Sequence, residues 1–143
     1  MKATVEPAKF ATPEECEAAF YAAFRKGDAA AMENVWAADA ELICVHPAQA
    51  PMIGRAEVMQ SWRRILGKSG GVEVGFDCKQ RLRGDPLAAH IGIEVIGAPG
   101  DEPALVTVTN VYVLTPGGWK MRSHHAGPIH RGLGSSGPRG TMH

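Results

Sequence analysis

Histidine has the side chain best suited to proton transfer at neutral pH, and three histidines of this chain are candidates for that role. His46 stands directly before Pro47, and His124 and His125 are adjacent near the end of the chain. We predict His46 and His125 as catalytic bases and His124 as a ligand contact. The alternative for His46 is a structural role, in which a ring nitrogen binds a loop carbonyl.

Only one of the two adjacent histidines can enter a given pocket, because neighbouring residues of a strand point to opposite faces. Strict alternation along residues 119–125 puts His125 on the face of Trp119 and Met121, and puts His124 on the face of the charged residues. We therefore expect His125 to face inward. A β-bulge between Trp119 and His125 would reverse this assignment.

Three further polar residues lie in two predicted strands that are otherwise largely apolar. Glu94 in an apolar pocket would have a raised pKa and would suit proton abstraction from a carbon acid; otherwise it is solvated or paired with a basic neighbour. Asn110 and Tyr112 share one strand face and are candidates for orienting a ligand or binding an oxyanion. Alternatively, they bond polar groups of neighbouring strands or of a second subunit.

Two tryptophans lie on the apolar faces of predicted helices. Trp36 and Trp62 are candidate walls for a flat apolar ligand. The alternative for both is ordinary core packing.

The chain shows no motif for a cofactor or a metal. It lacks a Gly-rich phosphate loop after a strand, a Walker lysine and a His-Glu-x-x-His pair, so we predict no cofactor. His124 and His125 would need further ligands, such as His90 and His130, to bind zinc, and we predict no metal site. The three cysteines are far apart, which favours buried thiols in a reducing compartment.

Charge and length exclude several classes of protein. The 143 residues include 15 basic and 15 acidic side chains, so the formal net charge is zero, whereas a nucleic-acid-binding protein normally carries a basic excess. No apolar run of about 18 residues is present, which excludes a transmembrane helix. Residues 1–10 lack the apolar core of a secretory signal, so we expect a cytoplasmic protein that binds neither nucleic acid nor membrane.

Apolar spacing predicts the elements that position these residues. The first helix has a cap at Thr12, Pro13 in its first turn and a stop at Gly27. The loop between the first strand and the third helix spans 47–54. Predicted helices span 12–27, 28–36 and 55–66, and predicted strands span 40–46, 72–83, 87–96, 104–115 and 119–126.

The last four predicted strands follow one another through short turns and therefore form an antiparallel meander. Helices packed on one face of such a sheet give an α+β fold. We divide the chain into a leader (1–11), a single domain (12–129) and a flexible tail rich in Gly, Ser and Pro (130–143).

The strand from Leu105 to Leu114 is apolar or Thr on both faces. Helices cover only one face of the predicted sheet, so a second copy of the same sheet would cover the other. We predict a homodimer through the outer sheet face. The alternative is a β-branched outer face that tolerates water.

Several local motifs resemble the nuclear transport factor 2-like superfamily, and within it the SnoaL-like proteins. The matching stretches lie between residues 10 and 129, and the last of them also resembles the end of the association domain of calmodulin-dependent kinases. They comprise Trp36 to Asp39, Val45-His46-Pro47, Gly54-Arg55 with Trp62, Thr109 to Tyr112, and Gly118 to Pro128.

The resemblance implies a curved sheet wrapped by helices into a cone with an apolar pocket. It also implies a small, largely apolar ligand and cofactor-free proton transfer of the isomerase, cyclase or dehydratase kind. Because this fold hosts many functions, a non-catalytic ligand-binding or assembly module is the alternative.

Overall fold

The computed structural model contains three helices and six strands among the residues it describes, which are 9–39, 41–69, 72–97, 100 and 102–130. Most of the predicted leader and tail lies outside these residues. The elements are α1 (Pro13–Lys26), α2 (Ala29–Val35), β1 (Ile43–Val45), β2 (Met52–Ile53), α3 (Arg55–Ser69), β3 (Glu73–Leu82), β4 (Leu87–Gly97), β5 (Ala104–Thr115) and β6 (Gly118–Pro128).

Helix α1 has the termini that its sequence predicts. The Thr12 hydroxyl accepts a hydrogen bond from the Glu15 amide at 3.1 Å, and the Glu15 carboxylate accepts one from the Ala11 amide at 2.9 Å. These two bonds satisfy amides that the first turn leaves unpaired. Gly27 ends the helix with φ 67°, a left-handed conformation that a residue without Cβ adopts readily.

The sheet is curved, open and mixed, with the strand order β2-β1-β6-β5-β4-β3. Strands β3 to β6 form the antiparallel meander that the short turns predict. Strand β1 adds to β6 in the parallel direction, so the sheet is not purely antiparallel. This addition pairs Ile43–Val45 with residues 123–125, so that Val45 lies beside His125.

Strand β2 lies inside the segment predicted as a loop. Ile53 pairs with Ile43 across β1 and β2, and the Gly54 amide donates to the Leu42 carbonyl at 2.9 Å. A two-residue strand is too short to give an alternation pattern, so its identity depends on this pairing.

The three helices pack on one face of the sheet and form the α+β cone that the sequence predicts. Helix α1 contributes the buried residues Cys16, Phe20, Tyr21, Ala23 and Phe24. The opposite face of the sheet is left half-buried or exposed. Among the described residues, no helix is long and apolar enough to cross a membrane.

Candidate functional site

Strand pairing brings three buried polar side chains and one buried thiol into one row across the inner face of the sheet. His90 pairs with Asn110, Asn110 pairs with His124, and His124 pairs with Cys44 of β1. All four residues are at most 2% exposed. Residues from four strands therefore form one polar row inside the cone.

The expectation that His125 faces inward is wrong. Ser123 pairs with Val111 and Met121 pairs with Tyr112, so a bulge at Arg122 interrupts the alternation. This extra residue reverses the facing of the strand after it. His124 is consequently buried, and His125 is exposed on the outer face.

Glu94 and His124 belong to a buried hydrogen-bonded cluster that also contains Tyr21 and Asn110. The Tyr21 hydroxyl lies 2.7 Å from Glu94 Oε2, and the Asn110 amide donates to the Tyr21 oxygen at 3.1 Å. Asn110 Oδ1 lies 2.6 Å from His124 Nδ1, and His124 Nε2 lies 3.9 Å from Glu94 Oε2. We call these four residues the Glu94 cluster.

Burial sets the protonation states of the two ionisable ends of the cluster. Burial raises the pKa of Glu94 to about 7, an effect that the hydrogen bond from Tyr21 partly offsets. Burial, with smaller contributions from His46 and His125, lowers the pKa of His124 to about 3. Near neutral pH, Glu94 is therefore partly protonated and His124 is neutral.

His46 lies in the same cone and contacts a serine of α3. Its Nε2 is 2.9 Å from the Ser61 Oγ and 3.6 Å from the Cys44 Sγ, and the Ser61 hydroxyl donates to the Val58 carbonyl at 2.8 Å. Burial, assisted by the charge of Arg64, lowers the pKa of His46 to about 4. His46 is therefore a neutral, weakly basic imidazole, and its Nε2 contacts a serine hydroxyl.

Aromatic rings surround the two inward-facing histidines. The Trp62 ring centroid lies 5.0 Å from that of His46 and 5.8 Å from that of His124. Phe20 lies 5.4 Å from Trp62 and 5.1 Å from His124. Trp62 is only 2% exposed, so it serves as core and lies against both histidines at once.

Tyr21 is held in place by a stacked ring. Phe76 of β3 lies 4.9 Å from it with an interplanar angle of 15°. The lack of a side chain at Gly92 of β4 allows β3 to approach closely. A Cβ there would lie 2.3 Å from the Asp77 carbonyl and 2.9 Å from the Phe76 ring. The close approach of β3 therefore supports the orientation of the Tyr21 hydroxyl.

A second charged cluster lies between α1 and the β3–β4 hairpin. His90 Nδ1 is 2.6 Å from Glu17 Oε1, and Arg81 lies 3.3 Å from the same carboxylate. The Tyr112 ring lies 4.9 Å from that of His90. Tyr112, predicted as a ligand contact, is thus fully buried beside a histidine that contacts a carboxylate.

Trp36 lines a cavity whose wall contains no residue of the Glu94 cluster. This cavity of about 580 Å³ opens beside the end of α2 and the β5–β6 turn. Arg55 and Lys120 in its wall bind backbone carbonyls at the end of α2, with Lys120 Nζ 2.6 Å from the Asn34 carbonyl. The cavity wall consists of Lys9, Glu33, Asn34, Trp36, Ala38, Asp39, Arg55, Thr115, Pro116, Gly117 and Lys120.

Two residues of the site were missed by the sequence analysis. Tyr21 lies beside the predicted apolar stripe of α1, directly after Phe20. Its hydroxyl group was the only feature of the sequence that could have indicated a role in the site. Ser61 precedes Trp62 on α3 and carries no signal of its own. Within the described ranges, no three His, Cys, Asp or Glu side chains lie together as a metal site.

Helices packed on a curved, six-stranded open sheet define a nuclear transport factor 2-like protein of the α+β class. More narrowly, the chain belongs to the SnoaL-like domain family, whose sequence profile matches residues 14–129. No curated protein matches this chain.

Three solved structures show how this fold is used elsewhere. A candidate association domain of calcium/calmodulin-dependent protein kinase type II from Thiobacillus denitrificans is 34% identical, with TM-score 0.79 over 86% of this chain and 99% of that one. A candidate dehydratase of the nuclear transport factor 2-like family from Streptomyces avermitilis is 30% identical, with TM-score 0.72 over 80% and 92%. A ketosteroid isomerase-like protein from Erwinia carotovora atroseptica is 18% identical, with TM-score 0.62 over 82% and 93%, and shares the fold alone.

Proposed function

We propose that the cone binds a small, largely apolar molecule and that Glu94 exchanges a proton with it. The observation that carries the proposal is a carboxyl group, 1% exposed among aromatic rings, that lies 2.7 Å from the Tyr21 hydroxyl and titrates near neutral pH. A buried group with a perturbed pKa in the interior of a fold is a candidate for acid–base chemistry.

The chemistry is the removal and return of a proton without a cofactor. Ionised Glu94 takes a proton from a carbon or oxygen atom of the ligand, and the resulting acid returns it to the same or a neighbouring atom. The candidate dehydratase from Streptomyces avermitilis, with 30% identity, supports proton-transfer chemistry of this class. Isomerases, cyclases and dehydratases all use such a step.

Glu94 takes the role that the sequence analysis assigned to His46 and His125. His125 is exposed on the outer face and lies outside the cone. His46 stays a candidate for a second acid–base group, but a pKa of about 4 makes it a weaker base than Glu94 at neutral pH.

The test begins with native mass spectrometry of the purified protein, which would detect a retained molecule. That molecule is identified and then incubated with the protein in D2O. We expect the wild type to introduce deuterium at a carbon atom of this molecule and Glu94→Gln to bind the molecule without doing so. Equal incorporation by Glu94→Gln would contradict the role of Glu94, and a protein that retains and binds no small molecule would contradict the proposal.

The outer face of the sheet supports a homodimer as part of this proposal. A row of paired residues crosses the six strands on this face, and only Ser123 in it is polar. Its two ends are the most exposed, with Ile53 at 63% and Leu82 at 55%. A second copy of the same face would remove this apolar surface from water. The row consists of Ile53, Ile43, Ser123, Val111, Ala89 and Leu82.

A non-catalytic assembly module is the second candidate. The 34% identity to the candidate kinase association domain from Thiobacillus denitrificans favours it. Native mass spectrometry separates the two candidates. A ligand-free assembly larger than a dimer favours the module, whereas a dimer that retains a small molecule favours proton-transfer chemistry.

A further inference from the structure

The directions of the hydrogen bonds in the Glu94 cluster follow from the Asn110 amide. An amide oxygen only accepts, so Asn110 Oδ1, at 2.6 Å, must receive the proton of His124 Nδ1. Neutral imidazole carries one N–H, which leaves His124 Nε2 as a lone pair. Asn110 therefore acts as a positioning residue that selects the Nδ1–H tautomer of His124.

The other donors of the cluster are also committed. The Asn110 N–H group that lies 3.1 Å from the Tyr21 oxygen donates to it. The Tyr21 hydroxyl, in turn, donates its single proton to Glu94 Oε2 at 2.7 Å. Of the two donors that the sequence suggests for an oxyanion site, Asn110 bonds inside the cluster, whereas the Tyr112 hydroxyl is buried with no hydrogen-bond partner among the described residues.

The cluster contains two hydrogen-bond acceptors that face each other. His124 Nε2 and Glu94 Oε2 are 3.9 Å apart, which is beyond hydrogen-bond distance. When Glu94 is ionised, no proton lies between these two acceptors and they repel each other at this separation. A hydroxyl oxygen placed about 2.8 Å from both atoms would fit this spacing and donate its proton to one of them.

We propose that the ligand of this site is an apolar alcohol or phenol whose hydroxyl group binds between Glu94 Oε2 and His124 Nε2, and is not a ketone bound through its carbonyl oxygen. This inference rests on the proposed function, because it assumes that the cone accepts a ligand. A carbonyl oxygen would add a third acceptor to the pair. Leaving a polar group unpaired in an apolar site costs free energy, so a ligand with the hydroxyl should bind more tightly than one with the carbonyl.

The experiment uses two probes that share one apolar body and differ only in this group, 1-indanol and 1-indanone. Their affinities are measured by calorimetry at about pH 8.5, where Glu94 is ionised, with wild type, Glu94→Gln and Glu17→Gln. Glu17 is the matched control, because its carboxylate binds His90 in the other cluster. NMR spectra of the ¹⁵N-labelled imidazoles report the His124 tautomer in the same samples.

We expect the wild type and Glu17→Gln to bind 1-indanol about tenfold more tightly than 1-indanone, the ratio that one satisfied hydrogen bond supports. In Glu94→Gln the oxygen that accepts from Tyr21 and faces His124 carries no negative charge, so it is a weaker acceptor and the preference for 1-indanol should fall below that of the wild type. The His124 imidazole should carry its proton on Nδ1. These results together support the inference.

Two different failures are distinguishable. A wild type that binds 1-indanone as tightly as 1-indanol, or a His124 proton on Nε2, overturns the hydroxyl inference and leaves the binding cone in place. If neither probe binds and neither shifts the resonances of Tyr21 or Trp62, the proposed function itself is overturned, and this inference with it.

Discussion

His124 Nε2 lies 3.9 Å from Glu94 Oε2, although the two residues belong to strands that flank β5 on opposite sides. Asn110 on the intervening strand bonds His124 at 2.6 Å and Tyr21 at 3.1 Å, and Tyr21 bonds Glu94. The cluster thus spans three strands and one helix. Its geometry leads to specific expectations for stability and assembly.

The first prediction concerns the pH dependence of stability at Glu94. The folded-state pKa is raised from 4.5 to about 7, so folding favours the protonated acid. The stability that this group contributes is fully present below about pH 4.5 and is lost as the pH rises to about 7. At 1.36 kcal/mol per pKa unit, the loss is about 3 kcal/mol.

Glu94→Gln keeps the acceptor for Tyr21 and does not ionise. Its free energy of unfolding relative to wild type should therefore rise by about 3 kcal/mol between about pH 4.5 and about pH 8. Urea denaturation at several pH values measures this difference. A difference that stays constant with pH would show that Glu94 titrates normally in the folded protein.

The second prediction compares the two adjacent histidines. His124→Ala removes the bond to Asn110 and leaves a buried cavity, so we expect a loss of about 2–4 kcal/mol. His125→Ala changes an exposed residue and should stay within about 0.5 kcal/mol of wild type. Chemical denaturation of the two variants checks the bulge directly, and the opposite ranking would mean that β6 alternates without interruption.

The third prediction concerns Trp62, which contacts Phe20, Phe24 and both inward-facing histidines. Trp62→Ala should lower the free energy of unfolding by about 3–5 kcal/mol, because it empties a large volume in the core. Trp62→Phe keeps part of that volume and should cost less. If Trp62→Ala has little effect on unfolding but alters ligand affinity, the indole is a pocket wall.

The fourth prediction tests the close approach of β3 to β4. Gly92→Ala would place a Cβ 2.3 Å from the Asp77 carbonyl, so the strands must separate and the Phe76 ring must shift. We expect a destabilisation of about 1–3 kcal/mol. Gly67→Ala is the control, because a Cβ there meets nothing within 4 Å and the residue lies in α3.

In the helix, replacing Gly by Ala should stabilise the protein by up to about 1 kcal/mol. Thermal unfolding of the two variants should therefore move the melting temperature in opposite directions. A Gly92→Ala variant as stable as wild type would contradict the tight packing at this point.

The fifth prediction concerns assembly. Val111 lies in the middle of the apolar outer row, so in the proposed dimer Val111→Glu should put an unpaired charge into the sheet-to-sheet contact and yield a monomer. Ala18→Glu, an exposed change on α1, should leave the dimer intact. Native mass spectrometry reads both outcomes. A wild-type monomer, or a Val111→Glu dimer, would refute the outer-face interface.

Several members of the site could be predicted from their sequence context. Glu94 and Asn110 stand out because a charged or amide side chain interrupts an apolar strand pattern, and both are buried. Trp62 stands out because it lies on the apolar face of its helix. Each of these signals is local, so a single sequence contains it.

Other members depend on pairing between distant segments. His124, and not His125, lies inside the cone because of a bulge at Arg122, and no residue type in this segment predicts that bulge. Tyr21 joins the cluster because α1 crosses the sheet at the height of Glu94 and Asn110. Neither the register of β6 nor the position of α1 can be read from apolar spacing.

By itself, the sequence determined the α+β class, the element order and the set of polar residues available to the cone. Apolar periodicity, helix caps and turn residues encode these features locally, and each acts over a few positions. Tertiary structure alone decided which histidine faces Glu94, that β1 joins β6 in parallel, and which polar side chains lie together inside the cone. Those outcomes depend on strand register and burial, which arise only when segments far apart in the chain pack together.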